Sequence, residues 1–350
     1  MNAFRTSLLS CAAALALAPT AALAAPEVVV SIKPLHSLVA AVMKDVATPG
    51  LIVKGAGSAH TYNLRPSDAQ ALQKAEIVFW MGHGLEAFLE KPLEALAGKA
   101  TVVELEDAPG MERLPYREGG PFEAHDHGDH EGHDHEGHAH EGHDEAGHQQ
   151  EAEQGHDHAK EGEHAHEHAE EEGHDHGHGF DMHMWLDPMN AKAMAKAVEA
   201  TLAKADPGNA ATYAKNLAAL EAELDALDAE TAAKLKPVAD KPFVVFHDAY
   251  QYFEHRYHVR VAGSVTVSPE NMPGAERISE IHAKIAELKA ACVFAEPQFE
   301  SKLVSVVMEG TDARSAALDP HGAAIPEGPE LYPQLIRNLA TAMVDCLSKP

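Results

Sequence analysis

Basic side chains are scarce in this sequence. Among 350 residues, 27 Lys and Arg face 55 Asp and Glu, a formal charge of −28 with histidine neutral. A nucleic-acid binder needs a basic face that displaces counterions from phosphates, so that class is excluded. Cysteine is scarcer still. The chain has three, without the paired spacing of thiolate metal sites. Long apolar runs are also missing: after residue 25 no segment matches the ~20 apolar residues of a spanning helix. The His-Glu-x-x-His signature of metallohydrolases is absent as well.

Histidine is in excess. There are 26, and 17 of them fall between His125 and His178. The stretch Glu118–Gly179 also holds 20 acidic residues and one lysine, so it supplies −19 of the −28. The extreme charge therefore belongs to one insert. Built from near-repeats of Gly-His-Asp-His and Glu-Gly-His, it has almost no large apolar residue to offset the entropy of ordering. It is expected to be disordered. Its imidazoles are His125, His127, His130, His133, His135, His138, His140, His143, His148, His156, His158, His164, His166, His168, His174, His176 and His178. Closely spaced imidazoles on a flexible chain can chelate Zn²⁺, Cu²⁺ or Ni²⁺ at many weak, exchanging sites. A merely solubilising acidic linker would not need them.

The chain begins like an export signal. Arg5 precedes a short apolar run, Leu8–Leu17, and Ala22-Leu23-Ala24 offers a cleavage site after Ala24. The mature protein is then soluble, exported and not inserted in the membrane. Cys11 leaves with the signal. Cys292 and Cys346 remain, and two cysteines in an oxidising compartment most often form one disulfide; two buried free thiols are the alternative.

Apolar runs rich in β-branched residues alternate with helical patterns. Strand candidates in the first half are Val28–Ile32, Leu51–Val53, Ile77–Trp80 and Thr101–Leu105; in the second they are Phe243–Phe246, Val259–Val265, Cys292–Ala295 and Ser315–Leu318. The helix candidates between and after them are Pro34–Val46, Pro66–Ala75, Leu85–Leu96, Asp248–Tyr257, Pro273–Ala290, Glu300–Gly310 and Glu330–Leu347. Such alternation predicts parallel sheets covered on both faces, hence two α/β lobes. The expected division is an N-terminal lobe over 25–205, containing the insert 118–179, and a C-terminal lobe over 237–350. Between them, 206–236 reads as one stiff helix, begun by Asp206-Pro207 and ended by Pro237, with Tyr213, Leu217, Leu220, Leu224, Leu227 and Leu235 on one stripe.

Four polar residues sit in loops or at strand ends. His60 lies in Gly55-Ala56-Gly57-Ser58-Ala59-His60-Thr61-Tyr62-Asn63-Leu64-Arg65-Pro66-Ser67-Asp68. His183 lies in Met182-His183-Met184-Trp185-Leu186-Asp187-Pro188, directly after the insert. His247 and Asp319 follow strands Phe243–Phe246 and Ser315–Leu318, and ligands of open α/β sheets bind outside such carboxyl ends. Singly, each has a bland reading: a loop histidine on the surface, or an Asp-Pro that forms a turn.

Together with Ser31-Ile32-Lys33-Pro34-Leu35, Phe-His-Asp-Ala-Tyr around His247, Phe294-Ala295-Glu296-Pro297-Gln298 and Leu318-Asp319-Pro320, these motifs run along nearly the whole mature chain. The sequence resembles the zinc branch of the metal-receptor family, the solute-binding proteins of ABC importers. The resemblance implies two (β/α)4 lobes in a C-clamp joined by one long rigid helix. It implies Zn²⁺ held by His60, His183 and His247 in the periplasm and passed to a membrane permease with its cytoplasmic ATPase. A monomer that is not an enzyme is expected. Some zinc receptors carry Glu before the first histidine; Ala59 stands there, leaving Asp319 or water as the fourth ligand. His321, which departs from the family's Leu-Asp-Pro-Leu-Gly, is expected at the surface. The insert becomes an accessory low-affinity capture or sensing segment. The rival readings are a zinc buffer acting mainly through the insert, and a manganese or iron receptor of the same fold.

Overall fold

The structure is a computed structural model, and it describes residues 25–117, 179–266, 273–299 and 302–349. The expected export signal and the seventeen insert histidines lie outside the described residues. Eight strands form two parallel sheets of four. The first has the order β2-β1-β3-β4, from β1 (Val28–Val30), β2 (Gly50–Leu51), β3 (Ile77–Trp80) and β4 (Thr101–Glu104). The second has the order β6-β5-β7-β8, from β5 (Pro242–His247), β6 (Arg260–Thr266), β7 (Cys292–Ala295) and β8 (Arg314–Ala317). The inner strands β1, β3 and β5 are buried almost throughout, which is why they read as continuous apolar runs without alternation.

Helices α1 (Lys33–Val42), α2 (Pro66–Lys74) and α3 (Glu90–Leu96) serve the first sheet, and α6 (Gln251–Tyr257), α7 (Ala275–Leu288), α8 (Lys302–Met308) and α9 (Leu331–Leu347) the second. Proline in the first turn starts α1 and α2. A further helix that the sequence pattern did not single out, α4 (Pro188–Ala205), follows Asp187, whose carboxylate accepts from the Met189 N–H as a cap.

The long helix α5 covers Ala210–Leu235 and starts four residues later than expected from Asp206-Pro207. Asp206 instead closes the turn after α4, accepting from the Asn209 amide and the Tyr213 hydroxyl. At 1.5 Å per residue α5 is about 39 Å long. Its first half donates Asn216 Nδ2 to the carbonyls of Val42 and Lys44; its last half carries Lys234 to Thr341 and pairs Glu230 with Arg337 on α9. One helix is thus fastened to both lobes.

The lobes also meet directly. Trp185 Nε1 donates to the Pro320 carbonyl at 2.9 Å, Tyr332 Oη donates to the Trp185 carbonyl at 2.7 Å, and the Ser37 hydroxyl donates to the Pro329 carbonyl. The buried Lys33 ammonium reaches the carbonyls of Gly322, Ala323 and Ile325. Side chains of both lobes share one hydrophobic core. Opening the lobes widely would break these bonds in a buried setting, where each lost partner costs about 1–3 kcal/mol. A Cys292–Cys346 disulfide ties β7 to α9. Among the described residues no helix is long and apolar enough to cross a membrane.

Candidate metal centre

Three loops deliver three imidazoles to one point between the lobes. His60 lies on the loop from β2 to α2, where its N–H is 3.2 Å from the Ser58 hydroxyl. That loop is anchored by Asp68, which accepts from the Tyr62 hydroxyl and the Arg65 N–H. His183 precedes a short 3₁₀ turn, Met184–Leu186, that leads into α4. His247 is the last residue of β5.

The Nε2 atom of His183 is 3.3 Å from Nε2 of His60 and 3.3 Å from Nε2 of His247. All three ligand atoms lie within 4.8 Å of one another. A tetrahedral zinc ion with Zn–N bonds of about 2.0–2.1 Å has N···N edges of about 3.3–3.4 Å. The two edges that meet at His183 therefore match that polyhedron.

Two of the rings are aimed by carboxylates. Asp181 Oδ1 is 2.7 Å from Nδ1 of His183 and also accepts from the His183 backbone N–H. Glu296 Oε1 is 2.7 Å from Nδ1 of His247, with both side chains almost fully buried. A carboxylate on Nδ1 keeps the proton there and turns the Nε2 lone pair toward the cleft. Burial, then the neighbouring imidazoles His183, His247 and His321, pushes His60 well below its ordinary pKa. Burial also opposes the charged form of His247, but the Glu296 carboxylate outweighs it and raises that pKa. Tyr250, buried beside Glu296, is pushed up by its burial and by that carboxylate.

One expectation, the surface position of His321, needs correction. Asp319 lies outside the group of three histidines. Its Oδ1 accepts from Gln298 Nε2 at 2.7 Å and from the N–H groups of His321 and Gly322, while Oδ2 accepts from the Ala323 N–H at 2.6 Å. The carboxylate is occupied in folding its own loop. His321 is not a surface residue: it is 4% exposed, and its ring lies 5.2 Å from Trp185, which is itself 5.3 Å from His183. Burial, then the charges it would face on His183, His247 and Lys33, pushes its pKa down to about 3.

Comparison with known proteins follows the same line. Residues 28–346 match the family Zinc-uptake complex component A periplasmic, ZnuA. The chain belongs to the ZnuA family. It is 54% identical over 322 residues, 92% of each chain, to the High-affinity zinc uptake system protein ZnuA of Brucella suis biovar 1 (strain 1330). A crystal structure of ZnuA superposes with a TM-score of 0.66 at 23% identity, covering 91% of this chain and 99% of that one. The periplasmic zinc binding protein TroA from Treponema pallidum gives 0.69 at 20% identity, covering 93% and 100%. These structures share the two-lobed fold of the ZnuA family.

The residues that sequence reasoning missed are those behind the ligands. Asp181 stands two positions before His183, a spacing that lets one carboxylate cap both the ring and the backbone of the histidine. Glu296 directly follows β7 (Cys292–Ala295), the strand hydrogen-bonded to β5, so it lies beside His247 through sheet topology. Asp248 faces Arg117 across the lobes, and Glu254 shares that guanidinium. In this ZnuA-family chain the carboxylates around the rings already have partners: Asp181 and Glu296 hold imidazoles, and Asp319 holds backbone.

Proposed function

We propose that this protein captures Zn²⁺ in the periplasm with high affinity and delivers it to an ABC-type permease driven by a cytoplasmic ATPase. The observation that carries the reading is the convergence of three imidazoles, with the His183 Nε2 atom 3.3 Å from those of His60 and His247, in a chain of the zinc-uptake family. Zinc is the cargo. His60, His183 and His247 would hold it as neutral imidazoles, a donor set suited to a borderline cation and poorly suited to Mn²⁺.

The chain's own residues prepare that capture. Burial keeps His60 free of a proton, so its lone pair is available. Asp181 and Glu296 fix two rings, and their two negative charges balance a divalent cation taken from water. The hydrogen bonds between lobes hold the three loops in register, so binding needs little rearrangement. Release then requires weaker ligands, through proton competition for imidazole or through strain imposed on the loops by the permease.

The first 24 residues act as the export signal in this reading, and the mature N-terminus at Ala25 is checked by mass spectrometry of the exported protein. The seventeen histidines from His125 to His178 act as an accessory low-affinity capture segment next to His183. Deleting His125–His178 slows uptake under zinc starvation and leaves the tight site in place.

Calorimetric titration of Zn²⁺ with a competing chelator tests the central statement. The reading expects one tight equivalent, lost when His60, His183 and His247 are all replaced by alanine. A tight equivalent that survives the triple substitution and disappears with the insert would overturn it in favour of a zinc buffer.

A further inference from the structure

Asp319 is held by its own loop outside the group of three imidazoles, which would leave one corner of a tetrahedron without a protein ligand. Two residues along the same loop stands a fourth imidazole. His321 is 4% exposed and its backbone N–H donates to Asp319. Its ring nitrogens have no hydrogen-bond partner among the described residues and are not fully enclosed, so they are open to a ligand. Its neighbours are the Trp185 ring on one side and, within electrostatic reach, His60, His183 and His247.

The backbone that carries it is fixed. Asp319 binds the N–H groups of residues 321, 322 and 323, and Lys33 binds the carbonyls of Gly322, Ala323 and Ile325 from the other lobe. Gly322 takes a positive φ of 69° to close the turn. The His321 ring lies outside the group of three whose ligand atoms are within 4.8 Å. With the main chain held, its approach to that group is a rotation about its side-chain torsions along the face of Trp185.

We propose that His321 is the fourth protein ligand of the captured zinc ion, rotating onto it from the Asp-Pro-His-Gly loop to complete an all-imidazole site. The proposal rests on the zinc-receptor reading above. It gives a largely buried imidazole without a hydrogen-bond partner among the described residues a role that Asp319 does not fill. It also has a chemical consequence. A three-histidine zinc site keeps a water whose pKa falls to about 7, the arrangement of hydrolytic zinc. A fourth imidazole displaces that water and leaves a closed site that stores and transfers the ion without activating a nucleophile. Four nitrogens further favour Zn²⁺ and Cu²⁺ over Mn²⁺.

The test is the zinc-edge X-ray absorption spectrum of the full mature chain. It is loaded with half an equivalent of Zn²⁺ from a chelator that strips the weaker sites. Four imidazoles in the unmodified protein support the proposal. Three imidazoles and an oxygen overturn it, and this reading needs no variant. His321→Phe keeps a ring against Trp185 and removes the nitrogens. It is expected to give three imidazoles and at least about a tenfold weaker site by chelator competition, the lower bound for disturbing a zinc site's support. His321→Gln serves if the Phe variant does not fold. An unchanged affinity together with a count of three in both proteins counts against His321. Tight binding that survives the triple alanine substitution at His60, His183 and His247 instead overturns the receptor reading itself.

Discussion

Replacing Glu296 by glutamine isolates the contribution of one charge to zinc capture. Glu296 Oε1 lies 2.7 Å from Nδ1 of His247, and both side chains are 1% exposed. The glutamine oxygen can accept the same N–H, so Glu296→Gln keeps the ring's direction and removes the carboxylate's negative charge. Loss of such a supporting partner costs about 10- to 100-fold in metal affinity, equivalent to about 1.4–2.7 kcal/mol. The pH dependence is the sharper signature. In the native protein Glu296 raises the pKa of His247 against the opposing effect of burial, so protons compete with zinc from above the ordinary histidine value of 6.5 downward. In the variant only burial and the remaining neighbours act, and His247 stays neutral to lower pH. The affinity gap should therefore be widest near pH 8 and narrow toward pH 5.5. Chelator competition at a series of pH values measures it. No loss at pH 8, or a gap that widens as pH falls, would refute the argument.

Three further predictions concern the fold around the site. Asp319→Asn weakens the acceptor of three backbone N–H groups. It should lower stability by about 1–3 kcal/mol in urea unfolding while three-histidine contacts persist. A loss of zinc ligation by spectroscopy without a stability change would return Asp319 to the ligand set. Glu86 is fully buried, accepts from the N–H groups of Met81 and Gly82, and is pushed up by burial to about 7 from 4.5. A carboxyl raised in the folded state contributes stability below its unfolded pKa and loses it as pH rises through the folded value. The advantage of Glu86→Gln over the native chain should thus grow from pH 4.5 to 7, by a few kcal/mol in all, and then level off; an advantage independent of pH contradicts this. Removing the Cys292–Cys346 disulfide as a double alanine variant frees a closed loop with a sequence separation of 54. The cost should be roughly 4 kcal/mol in the chain-entropy description, read as a fall in the denaturation midpoint equal to that of the reduced native protein.

Much of the fold was legible because parallel strands buried on both faces are continuous apolar runs. Ile77–Trp80 and Cys292–Ala295 were read to the residue, and the other strands differ from expectation only at their ends. Helix α4 was not seen. Its buried side is made largely of Ala191, Ala193, Met194, Ala195 and Val198, and small alanines give little periodic contrast against the alanines outside. The start signal was nevertheless present twice. Asp-Pro at 187–188 caps a helix, whereas Asp-Pro at 206–207 belongs to the turn between α4 and α5. Which one begins a helix depends on whether the carboxylate meets the next free N–H or a side chain such as Tyr213 across the turn, and a local pattern does not carry that information.

The same physics separates what was legible at the site. His60, His183 and His247 each stand in a loop motif or at a strand's carboxyl end, and it was the family resemblance that singled them out as a set. An aspartate differs: in Leu-Asp-Pro its carboxylate has backbone donors within four residues, and local bonds compete with any distant ligand. Asp319 meets three such donors and Gln298 besides, so its carboxylate is engaged in the turn. Histidine at 321 cannot fold back in this way, because its ring extends beyond the N–H groups of its own turn. It packs on Trp185 and remains without a hydrogen-bond partner among the described residues. Asp181 and Glu296 show the complementary case. Each carboxylate holds an imidazole and becomes recognisable only when the sheet brings β7 beside β5 and the chain returns to His183. The three histidines that the structure brings together stood in motifs, while the carboxylates that aim them emerged only from the fold.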